Sequence, residues 1–304
     1  MKTVLINGGL GNQVFQYIFG RTIELVTGEK VVFDDAYFFS PMHHTHSNGT
    51  SAQRLRLHET FGIDISLLSQ TLDNTAWQEA LTLAFHPQDG KPHSIPEFLR
   101  TNYPALSFVA ETSDFVFDGP VLSTPTCVYN PAVYKVPTPT YYHGYWINKG
   151  WLSSYKDILL KELTFRPITE PHNLAYAQQI DETNSVALHI RKFSLEGYNV
   201  DLSPEFYRQS ILSFTSLLQE PTFFIFSDSL DYCKSSYKEL GLDLAGDRII
   251  FVEGNESDVL NYRDMQLMSL CKHMIIANSS FSYLAALLNP HQDKLVANPT
   301  NMEI

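Results

Sequence analysis

The sequence predicts an α/β protein built on parallel sheet, and two observations predict it. The second half alternates short apolar runs with helical stretches, and the chain opens as strand, glycine loop, helix and strand. At 304 residues there is enough chain for one large α/β domain or two smaller ones.

The opening elements come first. Val4-Leu5-Ile6 is a short apolar strand, a helix follows over about 11–27, and Lys30–Asp34 is the next strand. Between strand and helix, Gly9 and Gly11 let backbone N–H groups approach a bound group closely, and the helix N-terminus favours negative charge there. Gly9-x-Gly11, with Asp34 and Asp35 closing the next apolar run, is half of a dinucleotide fingerprint and raises an NAD-dependent oxidoreductase as one reading. Against it, Val14 stands where the third glycine belongs, and two amides, Asn12 and Gln13, intrude.

The next stretch is rich in loops and holds His43, His44 and His46 between Pro41 and Gly49, without the fixed spacing of a metal site. Residues 118–141 are rich in proline and read as connection with short extended pieces. Leu152–Leu163 is a helix, and Arg166-Pro167-Ile168-Thr169-Glu170-Pro171 punctuates it as a linker. Beyond the linker, helices at Asn173–Ile180, Pro204–Leu218, Ser229–Leu240, Tyr262–Leu270 and Phe281–Leu288 alternate with strands at Ser185–Ile190, Thr222–Phe226, Arg248–Val252 and His273–Ala277. Ser203 is placed to cap the helix that Pro204 begins.

Composition narrows the function. A net charge of −12 leaves no continuous basic surface, which excludes nucleic acid as a partner. Cys127, Cys233 and Cys271 are odd in number and lack ligand spacing, so they read as free thiols in a reducing compartment. No run of about 18 apolar residues occurs. With a strand beginning at residue 3, neither leader nor anchor is expected upstream, and a cytoplasmic setting follows.

Three loops of the second half leave the C-terminal ends of predicted strands, the edge where open α/β sheets bind ligands. They carry His189-x-Arg191-Lys192, Ser227-Asp228 and Asn278-Ser279-Ser280. Arg191 can fork two N–H groups onto a pyrophosphate, or form a structural ion pair. Asp228 can accept from a guanine or ribose edge, or cap the helix after it. Asn278, Ser279 and Ser280 supply donors where a helix begins at Phe281, or cap that helix. The Asp-x-Asp pair that usually holds a metal against a diphosphate is absent, so Arg191 and the Gly9–Gln13 loop are the groups available to meet such an anion.

Taken together, five blocks in order resemble those of the α-1,2-fucosyltransferases. They are Gly8-Gly9-Leu10-Gly11-Asn12-Gln13-Val14-Phe15-Gln16-Tyr17, Tyr142-His143-Gly144-Tyr145-Trp146, His189-Ile190-Arg191-Lys192, Phe224-Ile225-Phe226-Ser227-Asp228, and Met265–Asn289 with Asn278-Ser279-Ser280-Phe281. The resemblance implies two Rossmann-like domains facing each other, of glycosyltransferase B type: residues 1–165 on the acceptor side and 166–304 binding the GDP-sugar. It implies inverting transfer of L-fucose from GDP-fucose to the 2-hydroxyl of a terminal β-galactoside, with no metal or other cofactor. The acceptor would be a glycan or a lipid-linked precursor of a bacterial surface polysaccharide, bringing the enzyme to the inner membrane from the cytoplasmic side. Gly9, Gly11, Asn12, Gln13, His189, Arg191, Lys192, Ser227, Asp228, Asn278, Ser279, Ser280 and Phe281 become donor-binding candidates, and Arg191 and Asn12 catalytic ones. The family continues its basic block as H-x-R-R-G-D-Y, whereas Phe193-Ser194-Leu195 follows Lys192 here. Glu196, or Asp201, is the carboxylate available to replace the missing one as base, and the changed loop points to a different acceptor preference. Two rivals stay open: the same fold with another GDP-sugar or acceptor, and a non-catalytic nucleotide-sugar or glycan-binding protein.

Overall fold

In the computed structural model, residues 1–40, 54–85, 94–111, 121–257, 259–300 and 302–303 are described. The chain forms two compact units, Met1–Thr164 and Phe165–Ile304. The histidines at 43, 44 and 46 lie outside the described residues.

The first unit holds strands β1 (Lys2–Leu5), β2 (Val31–Asp34), β3 (Ser107–Glu111), β4 (Val121–Thr124) and β5 (Thr140–His143). Its helices are α1 (Leu10–Thr27), α2 (Leu57–Phe61), α3 (Leu68–Thr71), α4 (Asn74–Phe85), α5 (Ile95–Asn102), α6 (Gly150–Ser153) and α7 (Lys156–Glu162). The strands pair in parallel in the order β2-β1-β5-β3-β4. Sequence pattern misses the centre of this sheet, because Thr140-Tyr141-Tyr142-His143 follows two prolines and carries no aliphatic run. Burial decides the matter: Tyr141 and Tyr142 are inaccessible and pair with β1 on one side and β3 on the other. The helix expected over Leu152–Leu163 is two short helices, broken at Ser154 and Tyr155.

In the second unit, β6 (Asn184–Ile190), β7 (Pro221–Ser227), β8 (Ile249–Phe251), β9 (His273–Ile275) and β10 (Val296–Ala297) pair in parallel in the order β10-β9-β6-β7-β8. Helices α8 (Pro171–Glu182), α9 (Pro204–Leu217), α10 (Leu230–Ser235), α11 (Tyr262–Leu270) and α12 (Ser280–Leu288) connect them. Seen from the other edge, the first strand lies at the centre and the chain fills the sheet outward on either side, the Rossmann order. Val186, Leu188, Phe223 and Ile225 bury against Tyr207, Ile211 and Phe214 of α9. Ser203 accepts from the Phe206 amide, as an N-cap before Pro204 does. The helix expected to reach Leu240 stops at Ser235 and continues as turns. Arg263, almost wholly buried, donates to the carbonyls of Arg166 and Pro167 and to Glu170, so the linker is fastened to this unit. Each unit is built on a five-stranded parallel sheet, the two-unit organisation of the glycosyltransferase B type. Among the described residues no helix is long and apolar enough to cross a membrane.

The dinucleotide reading fails at Asp34. Its Oδ2 accepts the Tyr141 hydroxyl at 2.6 Å and its Oδ1 the Ala36 amide at 3.1 Å, in a position without solvent access, so neither oxygen is offered to a ribose. Burial pushes its carboxyl up to about 6, against the pull of those two donors. A folded-state value above the unfolded one means the native state holds a proton that the unfolded state has lost. Stability should therefore fall as pH rises from about 4 to about 6, then level off, by about 3 kcal/mol from this group. Urea titrations of wild type and Asp34→Asn across that window check this: the variant should lack the decline.

Candidate active site

Each unit fixes the loops on the carboxyl edge of its sheet with buried polar side chains. In the first unit, Gly9 is the N-cap of α1, is exposed, and has nothing within 4 Å of where a Cβ would stand. Gly8 has φ +71° and passes so close to the Asn12 side chain that a Cβ would lie 2.8 Å from its amide nitrogen. Asn12 is therefore the third residue of the helix, folded back over the glycine turn, and does not cap it. Gln13 is buried: its amide nitrogen donates to the carbonyls of Gly8 and Arg54, and its oxygen accepts the Arg56 amide. That corrects its expected place among donor contacts, since all three bonds go to backbone. Gly11 is buried within the first turn of the helix.

The sequence reading missed Gln16 and Glu111. Gln16 accepts the Asn7 amide and donates to the Asn7 side chain and the Gly144 carbonyl, joining the loops after β1 and β5. Two amides three residues apart in a largely apolar helix were the available signal. Glu111 ends β3 and accepts three backbone N–H groups, from Cys127, Tyr145 and Trp146, at 2.6–3.1 Å. Burial raises its pKa and those amides pull against it. Gly144 is required beside it, as a Cβ would lie 2.8 Å from its Oε2. Trp146, with φ +57°, is inaccessible and stacks on Phe19 of α1 with ring centres 3.8 Å apart. The Gly144-Tyr145-Trp146 block thus turns the chain after β5 and locks it to the first helix.

The second unit gathers the charged candidates. The guanidinium of Arg191, just past β6, donates to Asp228, which follows β7, and to Glu196 at 2.5 Å. It also lies over the Phe193 ring. Asp228 accepts the Lys192 amide at 3.1 Å, and the Lys192 ammonium pairs with Asp201 at 2.5 Å and lies over Tyr232. Asp201 further accepts the amide and hydroxyl of Ser194. Desolvation acts to raise its carboxyl, but Lys192 and Ser194 outweigh it and hold the group at about 2. So strongly stabilised a carboxylate is a poor proton acceptor. Two cations and three carboxylates form this cluster, so each cation expected to meet a diphosphate already has a carboxylate partner.

On the other side of β6, at the point where the strand order reverses, two buried polar atoms have no hydrogen-bond partner: His189 Nδ1 and Asn278 Oδ1. A buried orphan of this kind costs about 1–3 kcal/mol, and the reversal point is where open α/β sheets take ligands. Burial, and then Arg191, push His189 down to about 3, so its ring is neutral. Phe281 packs against it with ring centres 6.0 Å apart. The Asn278 amide nitrogen donates to the Val200 carbonyl at 2.7 Å, tying the loop after β9 to the loop after β6. Ser279 accepts the Phe281 amide as the cap of α12, and Ser227 accepts the Ser229 amide, so these two hydroxyls serve turns. Ser280 opens α12.

Asp201 holds residues 194–201 in place, and removing its charge should release them. Asp201→Asn should speed hydrogen exchange at the Ser194 amide about tenfold, from loss of roughly 1–2 kcal/mol of charged hydrogen bonding. Exchange measured by NMR at Ser194 and at the β6 amides checks this, with β6 unchanged.

Comparison with known proteins agrees with this architecture. An Escherichia coli α-1,2-colitosyltransferase is 26% identical over 304 aligned residues, covering 96% of this chain and 89% of that one. The E. coli O-antigen biosynthesis glycosyltransferase WbnK is 23% identical, covering 97% and 92%. Among solved structures, NodZ α-1,6-fucosyltransferase soaked with GDP-fucose superposes with a TM-score of 0.51 at 10% identity, covering 95% of this chain and 92% of that one. A variant of Arabidopsis thaliana FUT1 in complex with GDP gives 0.50 at 14% identity, covering 99% and 71%. At such identities these two likenesses speak to the fold alone. The pattern of glycosyl transferase family 11 matches residues 130–303, which run from the connection before β5 through all five strands of the second sheet. With more than half its length matched, the chain belongs to glycosyl transferase family 11.

Proposed function

We propose that this glycosyltransferase is an inverting α-1,2-fucosyltransferase, moving L-fucose from GDP-fucose to the 2-hydroxyl of a terminal β-galactoside, without a metal. The observation that carries the reading is the meeting of Arg191, Asp228 and the Asn278–Ser280 loop along one sheet edge, beside two orphaned buried polar atoms. The second unit binds the donor. The orphaned Asn278 oxygen and His189 nitrogen are matched by a nucleotide-sugar's hydroxyl and N–H groups. A relative named O-antigen biosynthesis glycosyltransferase supports a surface-polysaccharide acceptor.

In the reaction, the galactose 2-hydroxyl attacks the anomeric carbon of fucose, the bond from that carbon to the diphosphate breaks, and GDP leaves with the electron pair. Arg191 neutralises charge as it grows on the diphosphate and stays protonated throughout. Glu196 accepts the proton from the attacking hydroxyl. In the structure Glu196 sits on Arg191, so an arriving diphosphate competes with it for the same guanidinium. Donor binding thus frees the carboxylate that the acceptor requires.

Colitosyl transfer is the second reading, favoured by the relative named α-1,2-colitosyltransferase. Incubation with GDP-fucose or a colitosyl donor, each with a β-galactoside panel and linkage analysis by NMR, separates the two. An enzyme that turned over neither donor would overturn both.

Arg191→Ala should lower transfer by about 10²–10³ or more with the fold intact by circular dichroism, and Arg191→Lys should rescue little. Glu196→Gln should split its effects: GDP binds several-fold tighter, because a competitor for Arg191 is weakened, while turnover drops by about 10²–10⁴. Calorimetry with GDP and steady-state kinetics read the two halves. Transfer should persist in EDTA. Loss of activity in EDTA, restored by one divalent ion, would remove Arg191 from its role as the principal charge stabiliser.

A further inference from the structure

The loop between Lys192 and Asp201 combines two properties that rarely occur together on a surface: it is held at many points, and it presents large apolar side chains to solvent. Its fixings are polar. Asp201 grips Ser194 and Lys192, Asn278 grips the Val200 carbonyl, and Glu196 is paired with Arg191. The Tyr198 amide donates to Phe193 and the Gly197 amide to Ser194, with Gly197 at φ +87° closing the turn. On this frame Leu195 is 65% exposed, Tyr198 62% and Val200 53%. No packing within the second unit explains them, and their ordering keeps apolar surface in water at a cost that folding alone does not repay.

Interleaved with these three are polar groups of one kind. Glu196 offers a carboxylate and Asn199 an exposed amide, both able to meet hydroxyls. A ring face, two aliphatic side chains, a carboxylate and an amide suit a pyranose, which has an apolar C–H face and a rim of hydroxyls. A lipid surface would not favour the carboxylate, and the loop carries no exposed cation of its own among Phe193–Val200. The loop also leaves the strand that carries Arg191, so it stands next to the proposed leaving-group site.

We infer that Leu195, Tyr198 and Val200 form an acceptor platform, on which the apolar face of a galactoside ring rests while Glu196 and Asn199 meet its hydroxyls. This rests on the proposed transfer reaction and adds to it: the loop, where the sequence departs most from the family pattern, selects the acceptor. Tyr198 is a positioning residue for the sugar and takes no part in proton transfer.

The test uses the full chain with GDP-fucose as donor and lactose as the β-galactoside probe. Tyr198→Ala should raise the lactose KM about tenfold, the loss of one ring's apolar contact. The donor KM, the GDP Kd and the slow hydrolysis of GDP-fucose in the absence of acceptor should not move. Tyr198→Phe should keep the wild-type lactose KM, and Leu195→Ser should raise it several-fold. Saturation-transfer NMR with GDP present should show magnetisation reaching the galactose C–H protons in wild type and lost in Tyr198→Ala. A lactose KM within twofold of wild type in both Tyr198→Ala and Leu195→Ser, with GDP binding intact, would overturn the platform. So would an unchanged KM accompanied by loss of phosphatidylglycerol vesicle binding or of self-association, which would give the patch to a membrane or to a second copy. A wild-type enzyme that binds no GDP fails the donor reading instead, and the saturation-transfer difference with lactose then decides the platform by itself.

Discussion

One guanidinium holds the carboxyl edge of the second unit together. Arg191 leaves the central strand β6, reaches Asp228 after β7, and takes Glu196 from its own loop. A cation placed at the end of a central parallel strand is surrounded by loops whose backbone donors and acceptors need partners, and carboxylates are the economical ones. Asp228 serves twice, on Arg191 and on the Lys192 amide, and Asp201 serves Lys192 and Ser194 together. The arrangement is built from groups that a diphosphate, in the proposed reaction, would compete for. Glu196 is the more exposed of Arg191's two carboxylate partners.

The first unit solves the same problem with neutral amides and one buried carboxylate. Gln13 and Gln16 sit three residues apart on α1 and hold two different loops. Glu111 gathers three amides, and the turn it stabilises requires both a glycine at 144 and an unusual backbone at Trp146. The Trp146–Phe19 stack then fixes the sheet edge to α1. Much of what makes the opening block and the Gly144-Tyr145-Trp146 block recognisable is therefore architectural. Gly9 differs, being exposed with open space around it, so it is the position in that block suited to approach by a ligand.

The sequence by itself determined a good deal. The alternation of strand and helix beyond residue 170 follows from local pattern, because buried parallel strands such as those carrying Val186–Leu188 and Phe223–Phe226 must contain continuous apolar runs. The caps at Ser203 and the loops that carry Arg191, Asp228 and Asn278 follow from the same local chemistry. Tertiary structure alone decided what depends on partners distant in the chain. The central strand Thr140–His143 is a strand because of its neighbours, since its own residues and prolines argue for a connection. Gln13 bonds to backbone more than forty positions away, Asp34 is sealed by Tyr141, and Glu196, the expected base, is held by Arg191. No spacing rule reveals such pairings, because a side chain's hydrogen-bond partners and burial are properties of the folded surface it meets, whereas periodicity records only which face of its own element it occupies.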